Sequence, residues 1–157
     1  MTPQEEIIAS LLSNIIALLL LLVSLKKKNT ARILFAFIFL WAAFTNWRTV
    51  SIHPEAYLDY AKYAIPLYKK IILGEFSNHI TGYVLCIAAG QLMIGLGLLS
   101  RRYIVKAACF AGIIFLLAIA PLGRGAAFPF SITASIALFI LYRHMFTKDI
   151  VGNRWLV

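Results

Sequence analysis

Residues Ile7 to Leu25 run for nineteen positions without a charged side chain. As a helix rising about 1.5 Å per residue, such a run is about 28 Å long, close to the roughly 30 Å of a bilayer's hydrocarbon core. Four more apolar runs follow, Ile33 to Thr45, Ile80 to Leu99, Ile104 to Leu122 and Ala126 to Tyr142. Backbone in lipid must satisfy its own hydrogen bonds, so segments of this kind fold as helices. The chain of 157 residues is 62% hydrophobic, with 15 basic and 6 acidic residues. A soluble domain is closer to half apolar and a quarter charged, and a small one lacks the interior volume to hide this much apolar surface. An ordinary soluble domain, a disordered chain and a secreted disulfide scaffold are thereby excluded. The net charge of +9 sits in short clusters between apolar runs, not along one basic surface, so no nucleic-acid partner is expected.

The clusters set a topology. One set of loops holds Lys26, Lys27, Lys28, Arg32, Arg101, Arg102, Lys106, Arg143, Lys148 and Arg154; the other holds Arg48, Lys62, Lys69, Lys70 and Arg124. The richer set is cytoplasmic by the positive-inside rule, which puts the N-terminus outside and the C-terminus in the cytoplasm. Glu5 and Glu6 precede the first run and three lysines follow it, the reverse of a cleaved signal peptide, so it is expected to be a retained span. The chain reads as one transmembrane domain over 1–157, with spans at about 7–25, 32–47, 80–99, 104–122 and 126–142.

The long connection, Asn46 to His79, lies outside in this topology. Tyr57, Tyr60, Ala61, Ala64 and Tyr68 recur in it at helical spacing, which predicts an amphipathic helix at the outer interface, kinked or ended by Pro66, with a break at Gly74. The second run covers only about 20 Å and draws Asn46, Trp47 and Arg48 toward the membrane. Arg48 then either snorkels outward beside an interfacial Trp47 or turns inward to anchor an anionic or carbonyl group.

Polar residues inside spans are costly and informative. Ser10, Ser13 and Asn14 share a face of the first helix that should point into the bundle, and Gln91 falls near the midplane. An interhelical hydrogen bond explains both; a contact to a ligand's carbonyl or hydroxyl is the alternative. Small residues at four-residue spacing, Gly82, Cys86 and Gly90, Ala108 and Gly112, and Ala127, Ser131 and Ser135, predict close helix packing. Cys86 and Cys109 sit at different depths and read as packing residues. His53, His79 and His144 are isolated, and no metal-ligand spacing occurs.

Between the fourth and fifth runs, Pro121, Gly123, Gly125 and Pro129 frame a tight reversal that presents Arg124 beside a helix N-terminus. Arg48, Arg124, His53, His79, Glu55 and the tyrosines thus cluster on the outer side. The ligand-binding candidates are Asn46, Arg48, His79, Gln91 and Arg124, around a pocket for the head of a quinone or other amphiphile whose tail lies in lipid. Every acidic residue falls in a loop or terminus, so no deep titratable pair supports catalysis by the chain alone.

Gly90-Gln91-Leu-Met-Ile-Gly95-Leu-Gly97, the basic turn Arg101-Arg102 and Pro121-Leu-Gly-Arg-Gly-Ala-Ala-Phe-Pro together resemble the DoxX-like family of small bacterial and archaeal membrane proteins. The resemblance covers about residues 32–142. It implies a four-helix core, to which the first helix adds an N-terminal span, in an all-α integral membrane protein of five transmembrane helices. Many members carry a carboxylate where Gln91 stands. The resemblance also implies the inner (plasma) membrane and an association with quinone-linked oxidoreductases, as a subunit or accessory with a redox partner. No haem-ligand pair, flavin fingerprint or iron–sulfur cysteine set is present, so no intrinsic cofactor is expected and quinone is the one candidate. Membrane lipid is the expected surrounding partner, and self-association stays open. The alternatives are a non-catalytic scaffold or lipid-binding protein, and a small transporter.

Overall fold

The computed structural model describes the backbone of residues 3–101, 103–126 and 128–152, and the side chains of 8–123, except Arg102, and of 128–144. All regular structure in it is helical. The long helices are α1 (Pro3–Lys26), α2 (Lys28–Ile52), α4 (Ile80–Leu99), α5 (Tyr103–Ile119) and α6 (Phe130–Gly152). Between α2 and α4 lie a 3-10 segment (Pro54–Lys62), a short helix α3 (Pro66–Ile71) and a π-type turn (Ile72–Phe76). Neighbours pack in the order α1, α2, α4, α5, α6, and α6 closes back onto α1, with the most extensive contact between α2 and α4.

Short joints make the bundle antiparallel. Lys27 alone separates α1 from α2; its backbone N–H still donates to Val23 and its carbonyl accepts from Ala31. At the opposite end, Gly123 takes φ +65, a conformation that favours glycine, in the turn leading to α6.

The interior holds Phe35, Phe39, Leu98, Leu138 and Leu141 among small residues such as Ala31, Ala108, Ala134 and Ala137. Phe39 meets Phe115 edge to face with centroids 5.9 Å apart. At Gly112 an added Cβ would stand 2.7 Å from Leu138 and 3.3 Å from Phe39, so the helices approach through that position. Outside, Leu11, Leu18, Phe37, Trp41, Met93, Leu96, Phe110, Ile114 and Phe139 are all exposed. An apolar belt this continuous exceeds what a soluble monomer shows to water. Four helical stretches are long and apolar enough to cross a membrane: Ile8–Lys26, Lys28–Ile52, Ile80–Leu99 and Tyr103–Gly123. The chain is therefore built as a multi-pass membrane protein. The apolar part of α6, Phe130–His144, is shorter.

Several expectations are corrected. The second span is long, not short: α2 has 25 residues, because Asn46, Thr49 and Ser51 continue the helix with their polar groups satisfied or exposed. The tyrosine-bearing segment Pro54–Lys62 is a 3-10 helix and not an α-helix, whereas the breaks at Pro66, which opens α3, and at Gly74, at φ −101 and ψ −109, fall where the sequence puts them. The face of Gly82, Cys86 and Gly90 is not a close packing seam among the described residues: a Cβ at either glycine would meet no atom within 4 Å, and Cys86 is exposed. α4 packs instead through Val84, Ala88, Gln91 and Gly95, the row turned toward α2. Ser13 and Asn14 bond the carbonyls of Ala9 and Ser10 four residues back, so they satisfy their polarity within α1. Ala108, Gly112, Ser131 and Ser135 are buried. Ala127 lies outside the described residues.

Candidate functional site

One end of the bundle gathers the C-terminal ends of α2 and α5, the N-terminal end of α4 and the whole 54–76 connection. The 3-10 segment lies over this end. Tyr57 and Ala61 are buried, and Tyr57 packs with Val50 of α2 and Val84 of α4. Two bonds tie the connection to the far wall: Ile65 N–H donates to the Pro121 carbonyl at 3.1 Å, and Tyr68 Oη donates to the Ala118 carbonyl at 2.8 Å. We call this the capped end.

Beneath the cap is a cavity of about 570 Å³, the size of a small-molecule site. Its walls are largely apolar: Ile72 and Phe76 from the connection, Val84 and Ile87 from α4, Phe115 and Ile119 from α5. Its polar groups are Asn46, Gln91, Tyr57, Tyr60 and Tyr68, and among the described residues no charged side chain lines it. Ile71, Ile87 and Ala118 line the cavity and are also exposed, so the rim between α3, α4 and α5 opens sideways onto the apolar belt.

The polar groups form a chain. Tyr57 Oη donates to Asn46 Oδ1 at 2.9 Å and reaches the Asn46 carbonyl at 3.2 Å. Asn46 Nδ2 in turn donates to Gln91 Oε1 at 2.7 Å, joining α2 to α4 inside the bundle. Tyr60 stacks on Tyr57, centroids 5.9 Å apart and planes at 25°. Burial and the neighbouring Tyr60 push the Tyr57 phenol above its ordinary 10.0, partly offset by a hydrogen bond with Thr49. Burial alone raises Tyr60. Both phenols are therefore neutral donors at any physiological pH.

Of the five candidates read from the sequence, the structure brings Asn46 and Gln91 together. Arg48 is exposed and does not line the cavity. His79 is exposed at the N-terminal cap of α4, also outside the lining. The backbone of Arg124 lies in the turn Ala120–Ala126, and its side chain lies outside the described residues. His53 and Glu55 face each other at 3.3 Å on the surface. The tyrosines signal an interfacial helix capping a pocket, and Tyr57, Tyr60 and Tyr68 line the cavity; nothing in the sequence marks Phe115 or Val84 as lining.

Among the described residues no group of three His, Cys, Asp or Glu side chains is placed to hold a metal ion. No protein-family model, no curated protein and no solved structure matches the chain.

Proposed function

We propose that this chain is a small membrane protein of the DoxX-like type that binds the head of a quinone or related isoprenoid in the capped cavity, as an accessory of a quinone-linked oxidoreductase system in the inner membrane. α6 is the fifth span in this proposal, the capped end faces outward and the C-terminus is cytoplasmic. The single observation that carries it is the Tyr57–Asn46–Gln91 chain set in an otherwise apolar cavity that opens onto the apolar belt. An amphiphile meets both halves: its head finds the polar groups and its tail leaves through the rim lined by Ile71 and Ile87. Arg48 and His79 are not needed for this contact, and catalysis by the chain alone is not part of the proposal.

The test is binding of decylubiquinone to purified protein, followed by quenching of tryptophan and tyrosine fluorescence. Asn46→Leu and Gln91→Leu, singly and together, should weaken binding at least tenfold, the loss from removing one partner of a buried polar contact. Arg48→Ala should leave it within about twofold, as a surface change does. Binding unaffected by both leucine substitutions overturns the assignment.

A second reading is a lipid-binding scaffold, which the charge-free described lining favours, since such a cavity also accepts a lipid ester carbonyl. Native mass spectrometry of gently solubilised protein separates the two by the mass of the retained molecule.

A further inference from the structure

The end of the bundle opposite the cap joins α1 to α2 and α4 to α5. Lys26, Lys27, Lys28 and Arg101 are exposed there. Arg32 differs from them. It is half-buried, and its Nε is shut off from solvent with no hydrogen-bond partner among the described residues. Its charge is felt at Cys109 of α5, so the guanidinium sits on the bundle side of α2. The acidic side chains among the described residues, Glu55, Asp59 and Glu75, all belong to the connection at the capped end.

A cation taken partly out of water ordinarily comes with a counter-charge, because burying it unpaired is costly. For Arg32 that counter-charge has a definite depth. Arg32 stands five residues past the joint at Lys27, about 7 Å along the helix. A helical side chain leans back toward the N-terminus of its helix, which returns the guanidinium toward the joint, at the level of lipid phosphates. The first turn of α2 has no acidic side chain and no side-chain cap, so its free amides favour an anion at the same place.

We infer that Arg32 binds a phosphate oxyanion, supplied by a phospholipid of net negative charge in the adjoining leaflet. Nε and one terminal nitrogen of the guanidinium donate side by side to two phosphate oxygens. A zwitterionic head offers the same phosphate, but its ammonium is repelled by Lys27, Lys28 and Arg101. This site lies at the other end of the molecule from the capped cavity and does not depend on what the cavity holds.

Native mass spectrometry of the full-length protein in non-ionic detergent, titrated with dioleoyl phosphatidylglycerol or dioleoyl phosphatidylcholine, tests this. The first phosphatidylglycerol should bind at least tenfold more tightly than phosphatidylcholine, the scale of hydrogen bonds to a charged group. Arg32→Gln should bring the ratio to about unity. Lys28→Gln removes the same formal charge from the surface and should leave the ratio above fivefold. Arg32→Lys keeps the charge without the fork and decides the matter if Arg32→Gln does not fold: the ratio should fall at least threefold. Equal binding of the two lipids, a ratio unmoved by the Arg32 substitutions, or a ratio that Lys28→Gln removes as fully as Arg32→Gln overturns the inference. Millimolar inorganic phosphate should not displace the bound phosphatidylglycerol; displacement would overturn the lipid as the source of the phosphate.

Discussion

A methyl group at Gly123 would sit 2.5 Å from the Tyr63 carbonyl oxygen, in a backbone at φ +65. Neither the space nor the conformation suits an L side chain, and the carbonyl belongs to the segment that caps the cavity. Gly123→Ala should therefore destabilise the protein by about 1–3 kcal/mol, the cost of a strained left-handed position. Gly82 is a matched control, since nothing lies within 4 Å of an added Cβ. Gly82→Ala should be neutral or raise stability by up to about 1 kcal/mol through helix propensity. Thermal unfolding in detergent, read by tryptophan fluorescence, compares the two. Similar melting temperatures would mean that the turn does not brace the cap.

Arg48 and Asn46 part company although they stand only two positions apart. Two positions on a helix differ by about 200°, so if Asn46 faces α4 then Arg48 faces away. That much was legible in the sequence once α2 is continued past Thr45. The phenols add a pH dependence. Tyr57 and Tyr60 are both raised above the ordinary 10.0. Their contribution is fully present below that value and is lost as pH rises above it, toward their folded-state values, because the unfolded chain ionises first. Stability should hold from pH 7 to about 9.5 and fall above 10, and Tyr57→Phe should flatten part of the fall. An identical high-pH decline in that variant would remove Tyr57 from the explanation.

At the scale of elements, the join between α2 and α4 decides the shape of the cavity. It combines close packing at Gly95, where an added Cβ would meet Leu40 at 2.7 Å, with the Asn46–Gln91 bond. A double-mutant cycle with Asn46→Ala and Gln91→Ala should return a coupling of about 1 kcal/mol, since each single change strands the other amide. Additive effects would mean that the bond contributes nothing to the joint. The polar residues of this joint stand out in the sequence because an amide inside an apolar run is costly. The roof was less legible. Tyr57, Tyr60 and Tyr68 announce an amphipathic segment by spacing, but their inward turn depends on α2 running on to Ile52 and on Pro54 and Pro66 restarting the chain. The outward face of Gly82, Cys86 and Gly90 was misleading for a related reason: small residues permit close approach on whichever side a neighbour happens to lie, and α2 lies on the other.

For the whole molecule, apolar runs and short polar joints were enough to anticipate an all-helical membrane protein, because helix is the spanning form that a run of this length and apolarity can take. The order of packing was not readable, since it follows from which small faces meet after the spans form. The charges, ten basic residues in one set of loops and five in the other, bear on orientation and leave the capped end as the face with mixed signs.

In the proposed function an amphiphile's head occupies the cavity between α2, α4, α5 and the 54–76 connection. Photo-crosslinking with an azido-substituted quinone, followed by peptide mass mapping, tests it directly. Label should fall on the segment carrying Tyr57, Tyr60 and Phe76 and on α4 near Ile87 and Gln91, and excess decylubiquinone should compete it away. Label confined to the outward stripe of Phe37, Trp41 and Phe44, or left unchanged by competitor, would contradict it.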